Sequence, residues 1–142
     1  MSASTKLSTS VKALICLAKA FPEPKTSSEI SKSVSVNASK LRKILSLLVR
    51  QEIVKSNFGS RGGFILNKPP EKLHLQEIYC AIEDRKAFHL HITGANNSAG
   101  SFNERVNDYF LDLFAEIQED IENKMRSITL KSIMDKIYDS KI

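Results

Sequence analysis

Apolar residues recur along this chain with two different periods. From Ser8 to Ala20, Val11, Leu14, Ile15 and Ala18 share one helical face, and Leu17 and Phe21 widen it. Phe21-Pro22-Glu23-Pro24 ends that helix, because each proline disfavours helical angles in the residue before it. Thr26-Ser27-Ser28-Glu29 then has the form of a capping box, the Thr26 hydroxyl accepting from the Glu29 N–H while the Glu29 carboxylate reaches back. A short helix follows, with Ile30 and Val34 inward. Ser35-Val36-Asn37 reads as a turn and Asn37 as the N-cap of the next helix. That helix runs from Ala38 to about Arg50, with Leu41, Ile44, Leu45 and Leu48 at i, i+3, i+4 and i+7. The period then shortens. Strands are predicted at Ile53–Ser56 and Phe64–Leu66, with Gly59 to Gly63 as the turn between them.

Asn67-Lys68-Pro69-Pro70 closes this unit and marks the clearest boundary in the chain. Beyond it, Leu75, Ile78, Tyr79 and Ile82 mark a fourth helix. Glu83 to Gly100 is less regular, and Phe88-His89-Leu90-His91-Ile92 within it reads as a short strand or an extended connector. Ser101-Phe102-Asn103-Glu104 is a second capping box, opening a helix that runs to about Ser127. Its apolar stripe is Val106, Phe110, Leu113, Phe114, Ile117 and Ile121, continuing to Met125. Some 26 residues at about 1.5 Å each make a rod of roughly 39 Å, long against the ~14 Å radius of gyration of so small a domain. Such a rod with an apolar stripe needs a partner, and a symmetric homodimer is the expected one. Thr129 caps a last helix, with Leu130, Ile133, Met134 and Ile137 inward. The expected fold is mainly α: a winged helix-turn-helix DNA-binding region over residues 1–70, a linking helix and effector or sensor loop over 71–100, and a long C-terminal dimerisation helix with a terminal helix over 101–142.

Charge sharpens that division. Residues 1–70 hold 12 Lys/Arg against 3 Asp/Glu, whereas residues 71–142 hold 9 against 13. Solubility alone does not require such segregation. A basic first half and an acidic second half point to a nucleic-acid-binding module joined to an assembly or sensing module. No apolar run is long enough to span a membrane, and Met1 to Ser10 has no signal-peptide pattern. The two cysteines, Cys16 and Cys80, sit in apolar helical stretches, and a reduced, cytoplasmic setting is expected.

The face of the third helix opposite its apolar stripe carries Ser39, Lys40, Arg42, Lys43, Ser46 and Arg50. Arg and Lys read guanine edges in a major groove, while Asn and Ser contact bases or phosphates. The first two turns of a recognition helix enter the groove, so Asn37, Ser39, Lys40, Arg42 and Lys43 are the candidate DNA contacts. Ser27 and Ser28, opening the preceding short helix, join them. Arg61, flanked by small residues, is placed to reach a minor groove, and Gly62 and Gly63 permit positive φ and close approach of a backbone. No catalytic motif is present: the chain has no phosphate loop, no zinc pattern and no nucleophile–base pair in a recognised arrangement. His89 and His91 with Asp84 or Glu83 lack a convincingly spaced further ligand, so no metal site and no cofactor is expected. Cys80 is a candidate redox-sensing thiol, but its neighbours Ile78, Ala81 and Ile82 favour a buried, inert one, which is the expectation.

Lys6-Leu7-Ser8-Thr9, Asn37-Ala38-Ser39-Lys40-Leu41, Ile53-Val54-Lys55-Ser56 and Gly62-Gly63-Phe64-Ile65-Leu66 together resemble the Rrf-two family of bacterial winged-helix transcription regulators. Leu75-Gln76-Glu77-Ile78-Tyr79 and Ile128-Thr129-Leu130-Lys131 extend the resemblance across about residues 6–138. It implies a homodimer on the long helix, a recognition helix in the major groove with Asn37, Ser39 and Arg42 toward base edges, and a wing in the minor groove. It also exposes two departures. Phe58 stands where many relatives have Arg, leaving Arg61 to replace that contact. Family members that sense iron–sulfur clusters or nitric oxide carry three cysteines before the long helix; residues 83–100 hold none, and Ser98 stands at a thiol position. The resemblance therefore implies a regulator without an iron–sulfur cluster, expected to be a dimeric repressor of a palindromic double-stranded operator, responding to a small-molecule or redox effector bound beyond residue 83. The competing reading is a protein-interaction adaptor that keeps the winged fold but binds an enzyme or another regulator.

Overall fold

The computed structural model describes residues 2–57, 59–83 and 99–139. The first helix, α1, spans Ala3–Ala20 and starts five residues earlier than its apolar stripe predicts, because Ser2 caps it by accepting from the Thr5 N–H. The next helices are α2 (Ser27–Val34) and α3 (Ala38–Arg50). The hairpin strands β1 (Val54–Asn57) and β2 (Gly63–Leu66) pair antiparallel, with Val54 opposite Leu66 and Asn57 opposite Gly63. A 3₁₀ turn at Pro70–Lys72 leads into α4 (Leu75–Ile82). After the undescribed residues come α5 (Phe102–Arg126) and α6 (Leu130–Asp139). The fold is thus mainly α with a two-stranded wing, as the periodicities predict. Phe58, the Phe88–Ile92 segment, His89, His91 and Ser98 lie outside the described residues.

Contacts divide the chain into two compact units, residues 1–84 with 126–142, and residues 85–125. In the first unit, Leu14 and Leu17 of α1, Ile30 of α2, Leu41, Leu45 and Leu48 of α3, Ile53, Leu73, Ile78 of α4 and Leu130 of α6 are all essentially inaccessible. Burying a Leu or Ile side chain contributes about 1.5–3 kcal/mol each, so this shared core holds α3 rigidly from below. The terminal helix α6 belongs here. The Leu130 N–H donates to the Leu73 carbonyl at 2.7 Å, and the Leu75 N–H to that of Ile128 at 2.8 Å. Thr129 and Ser132 cap α6 reciprocally, each backbone N–H donating to the other's hydroxyl at 3.0 Å.

Three expectations are corrected. Ile137 is 53% exposed rather than inward, because α6 peels outward along its length: Leu130 is buried, Ile133 and Met134 half-buried, and the last turn uncovered. Phe21 is 60% exposed, lying past the end of α1 where the chain has left the helical face. Cys80 is exposed, not buried. Ile78, Ala81 and Ile82 define the inner face of α4, and position 80 falls about 200° around the helix from position 78.

In the second unit, Ser101 caps α5 by accepting from the Glu104 N–H at 3.2 Å. The Glu104 carboxylate reaches back one residue further than a capping box requires, accepting from the Gly100 N–H at 2.9 Å. At 25 residues α5 is about 38 Å long. Phe110 packs against Phe114 with ring centroids 5.5 Å apart.

Candidate nucleic-acid interface

The turn between α2 and α3 is locked by local hydrogen bonds. Ser35 adopts a left-handed conformation, φ 55°, and its N–H caps the end of α2 by donating to the Ser31 carbonyl. The Ser31 hydroxyl donates across the turn to the Val36 carbonyl. At the front of α2, Thr26 accepts from the Glu29 N–H at 3.1 Å, as expected, while the Glu29 carboxylate lies 3.6 Å from the Lys25 ammonium. These bonds set the angle at which α3 leaves the turn.

On α3, burial separates two faces. Leu41, Ile44, Leu45 and Leu48 are buried, and Ser39, Lys40, Arg42, Lys43, Ser46 and Arg50 are exposed. Ser39, Arg42, Lys43 and Ser46 line one shallow depression together with Leu47. Among the described residues no carboxylate lines it, so its positive potential is not cancelled locally. Lys40 and Asn37 belong to a second depression, on the other side of the helix start, shared with Thr5, Ser8 and Lys12 of α1. The sequence pattern marks Ser8 only within the Lys6–Thr9 motif and does not mark Thr5 or Lys12. Their spacing, three and four residues apart, carries the signal: it places Thr5, Ser8 and Lys12 on one helical face.

Asn37 has a defined role. Its side-chain oxygen accepts from the Ser39 N–H at 2.8 Å and from the Lys40 N–H at 3.4 Å. Bidentate recognition of adenine uses both the oxygen and the nitrogen of an Asn amide, and here the oxygen is committed to the helix cap. Asn37→Ala is expected to lose about 1 kcal/mol of stability, read as a lower denaturant midpoint. Asn37→Asp should keep the stability, since Asp caps equally well, yet weaken DNA binding through its negative charge. An equal loss of stability in both variants would contradict the cap assignment.

The wing is anchored by backbone hydrogen bonds and by one side-chain amide. Lys25, just before α2, exchanges two hydrogen bonds with Phe64 of β2, at 2.8 and 3.0 Å. Asn67 holds the base of the hairpin, its side-chain amide donating to the Glu52 carbonyl at 2.7 Å. At the tip the Gly62 N–H donates to the Gly59 carbonyl at 2.9 Å, and Ser60 and Arg61 are exposed. The backbone that the two glycines approach is the protein's own. A Cβ on Gly62 would meet the Asn57 carbonyl oxygen at 2.8 Å, and one on Gly63 the Lys25 carbonyl at 2.7 Å. Both glycines are half-buried against the protein's own backbone. Ser27 is half-buried and Ser28 exposed at the start of α2.

This arrangement of an exposed basic helix, a locked turn and an anchored hairpin has close counterparts. The model of the Rrf2 family, iron-dependent transcriptional regulators, matches residues 3–136. The chain belongs to the Rrf2 family. Like its relatives, this Rrf2 protein is a DNA-binding transcriptional regulator and not an enzyme. It is 30% identical over 112 residues to the HTH-type transcriptional regulator YwgB of Bacillus subtilis strain 168, covering 79% of this chain and 70% of YwgB. It is also 30% identical over 118 residues to YwnA of the same organism, covering 82% and 86% respectively. Among solved structures, a transcriptional regulator from Lactobacillus plantarum superimposes with a TM-score of 0.80 at 17% identity, over 95% of this chain and 91% of that one. T. potens IscR gives 0.70 at 23% identity, over 100% and 92%. CymR, the global cysteine regulator of B. subtilis, gives 0.69 at 22%, over 94% and 95%. At these identities the structural likenesses speak for the fold.

The family's description raises iron. A cysteine-ligated iron–sulfur cluster needs several thiolates converging on one point. This chain has two cysteines in all, Cys16 half-buried on α1 and Cys80 exposed on α4. Among the described residues no group of three or more His, Cys, Asp or Glu converges. The thiol donors present do not fit such a cluster. Among the described residues, no helix is long and apolar enough to cross a membrane.

Proposed function

We propose that this Rrf2 regulator is a homodimeric, cytoplasmic repressor that reads a palindromic operator and responds to an effector other than an iron–sulfur cluster. The observation that carries the operator reading is the exposed basic face of α3, where Ser39, Arg42 and Lys43 gather in a depression that no carboxylate among the described residues lines. Arg42 is the candidate base reader. Lys40 and Lys43, with Ser27, Ser28 and Arg61, are the candidate backbone and minor-groove contacts. The dimer reading rests on α5. Val106, Leu113, Phe114, Ile117 and Ile121 are only half-buried and Phe110 is 39% exposed, leaving an apolar stripe for a second copy to cover. A two-fold dimer presents two recognition helices, which is why the operator is expected to be palindromic. Occupancy of a promoter by such a dimer represses by excluding polymerase.

The test is selection of bound fragments from genomic DNA, followed by footprinting and anisotropy titration. The expected result is a two-fold symmetric footprint, two chains per site and an affinity that falls steeply with salt as condensed counterions are released. Arg61→Ala should weaken binding to all sequences and reduce the slope of log K against log salt by about 1. Salt-independent binding without preference among sequences would overturn the operator reading, and one chain per site would overturn the dimer.

A further inference from the structure

The first unit contains a cleft of about 750 Å³ between α1, the end of α2 and the last turn of α6, which shares Lys12, Val34 and Ser35 with the depression that holds Asn37 and Lys40. Its volume lies within the range of roughly 300–1,000 Å³ usual for small-molecule sites. Ile15 and Val34, each 9% exposed, contribute its apolar lining. Tyr138, 53% exposed, is an aromatic wall, and the Lys19 ammonium stands 4.7 Å from the centre of its ring. Lys12 and Lys25 also line the cleft, and among the described residues no Asp or Glu does. Lys25 has one acidic neighbour, Glu29, at 3.6 Å.

We propose that this cleft binds a small organic anion with an apolar, ring-sized body, a carboxylate-type ligand. The reasons are chemical. Lys25 is offset by Glu29, but Lys12 and Lys19 leave a net positive potential around the cleft, which attracts an anion and repels a cation. The apolar lining and the Tyr138 ring reward a ligand that also carries a hydrophobic body, which inorganic phosphate lacks. The Lys19–Tyr138 contact arranges both rewards side by side: the ammonium holds the ring face electrostatically and keeps donors free for a carboxylate at the ring edge. The exposure of Ile137 and Tyr138, costly for an unoccupied surface, is relieved when such a body lies between α6 and α1. The occupant touches Val34 and Ser35, the end of α2 and the turn into α3, but binding to free protein does not depend on the operator reading.

The test is an NMR titration of the uniformly ¹⁵N-labelled full chain with naphthalene-2-carboxylate. Naphthalene-2-methanol is the uncharged control and inorganic phosphate the control without an apolar body. The expected result is saturable shifts confined to amides around Cys16, Lys19, Val34, Ser35 and Tyr138, with each control at least about tenfold weaker. The double substitution Lys12→Glu with Lys19→Glu should weaken the carboxylate about tenfold or more and leave the alcohol unchanged; both side chains are exposed, and an unchanged melting temperature verifies the fold. Tyr138→Ala should weaken carboxylate and alcohol alike. Shifts spread over α3 and the wing and matched by phosphate would show general anion attraction and overturn the site. So would an unchanged carboxylate affinity in the double-lysine variant.

Discussion

Arg42→Ala is expected to weaken binding to the cognate operator by about 10- to 100-fold, equivalent to the ~1–3 kcal/mol of a bidentate Arg–guanine contact, and to relax preference at one base pair per half-site. Lys43→Ala, which removes a charge from the same depression, should lower affinity for every sequence more uniformly. Both side chains are exposed beside Ser39 and Ser46, clear of the buried Leu41–Leu48 stripe, so neither change should disturb folding. Competition anisotropy against a library of operator variants separates the two outcomes. Undiminished discrimination by the Arg42 variant would move base reading elsewhere on the protein.

Gly63→Ala is expected to destabilise the protein by about 2–4 kcal/mol, combining backbone strain with a steric clash. Gly63 has φ 151°, and an added Cβ would lie 2.7 Å from the Lys25 carbonyl carbon and oxygen. That neighbour is backbone, held in place by the two Lys25–Phe64 hydrogen bonds, so it cannot swing away. Gly59→Ala provides the control. Gly59 also has positive φ, 134°, but a Cβ added there would meet nothing within 4 Å. It should cost only about 1 kcal/mol, the conformational part alone. Thermal or urea unfolding of the two variants measures the difference. Equal losses would show that the contact with Lys25 does not matter. Because that contact joins the wing to the entry of α2, the Gly63 variant should also lose operator affinity at temperatures where it remains folded.

Much of the architecture around the exposed face of α3 is legible in the sequence. The spacing of Leu41, Ile44, Leu45 and Leu48 determines which side of α3 is buried, and therefore that Ser39, Arg42 and Lys43 face out. Asn37 and Thr129 act as the caps their positions predict. Those readings succeed because helical periodicity and capping are local: the interacting groups lie within four residues of one another. Cys80 departs from expectation for a different reason. Its apolar sequence neighbours suggest buried surroundings, yet adjacent helical residues point in different directions.

Ile137, Phe21 and Gly63 show a further limit. Periodicity gives the direction in which a side chain points, but not where the neighbouring element ends. Ile137 lies past the cover that buries Leu130, and Phe21 lies past the last turn of α1. The sequence marks Gly63 as able to approach a backbone without naming which one; that backbone is Lys25, 38 residues earlier in the chain.

By itself, then, the sequence determined the helices, their buried faces, the basic outward face of α3 and the scarcity of thiols, because these follow from residue type and short-range spacing. Only the tertiary structure decided that the wing is tied to Lys25, that α6 returns to cover the core beside Leu73, and that Lys12, Lys19 and Lys25 surround one cleft with Tyr138. These are pairings between residues far apart in the chain. They arise where separate apolar faces share one core, and no local pattern records which faces those are.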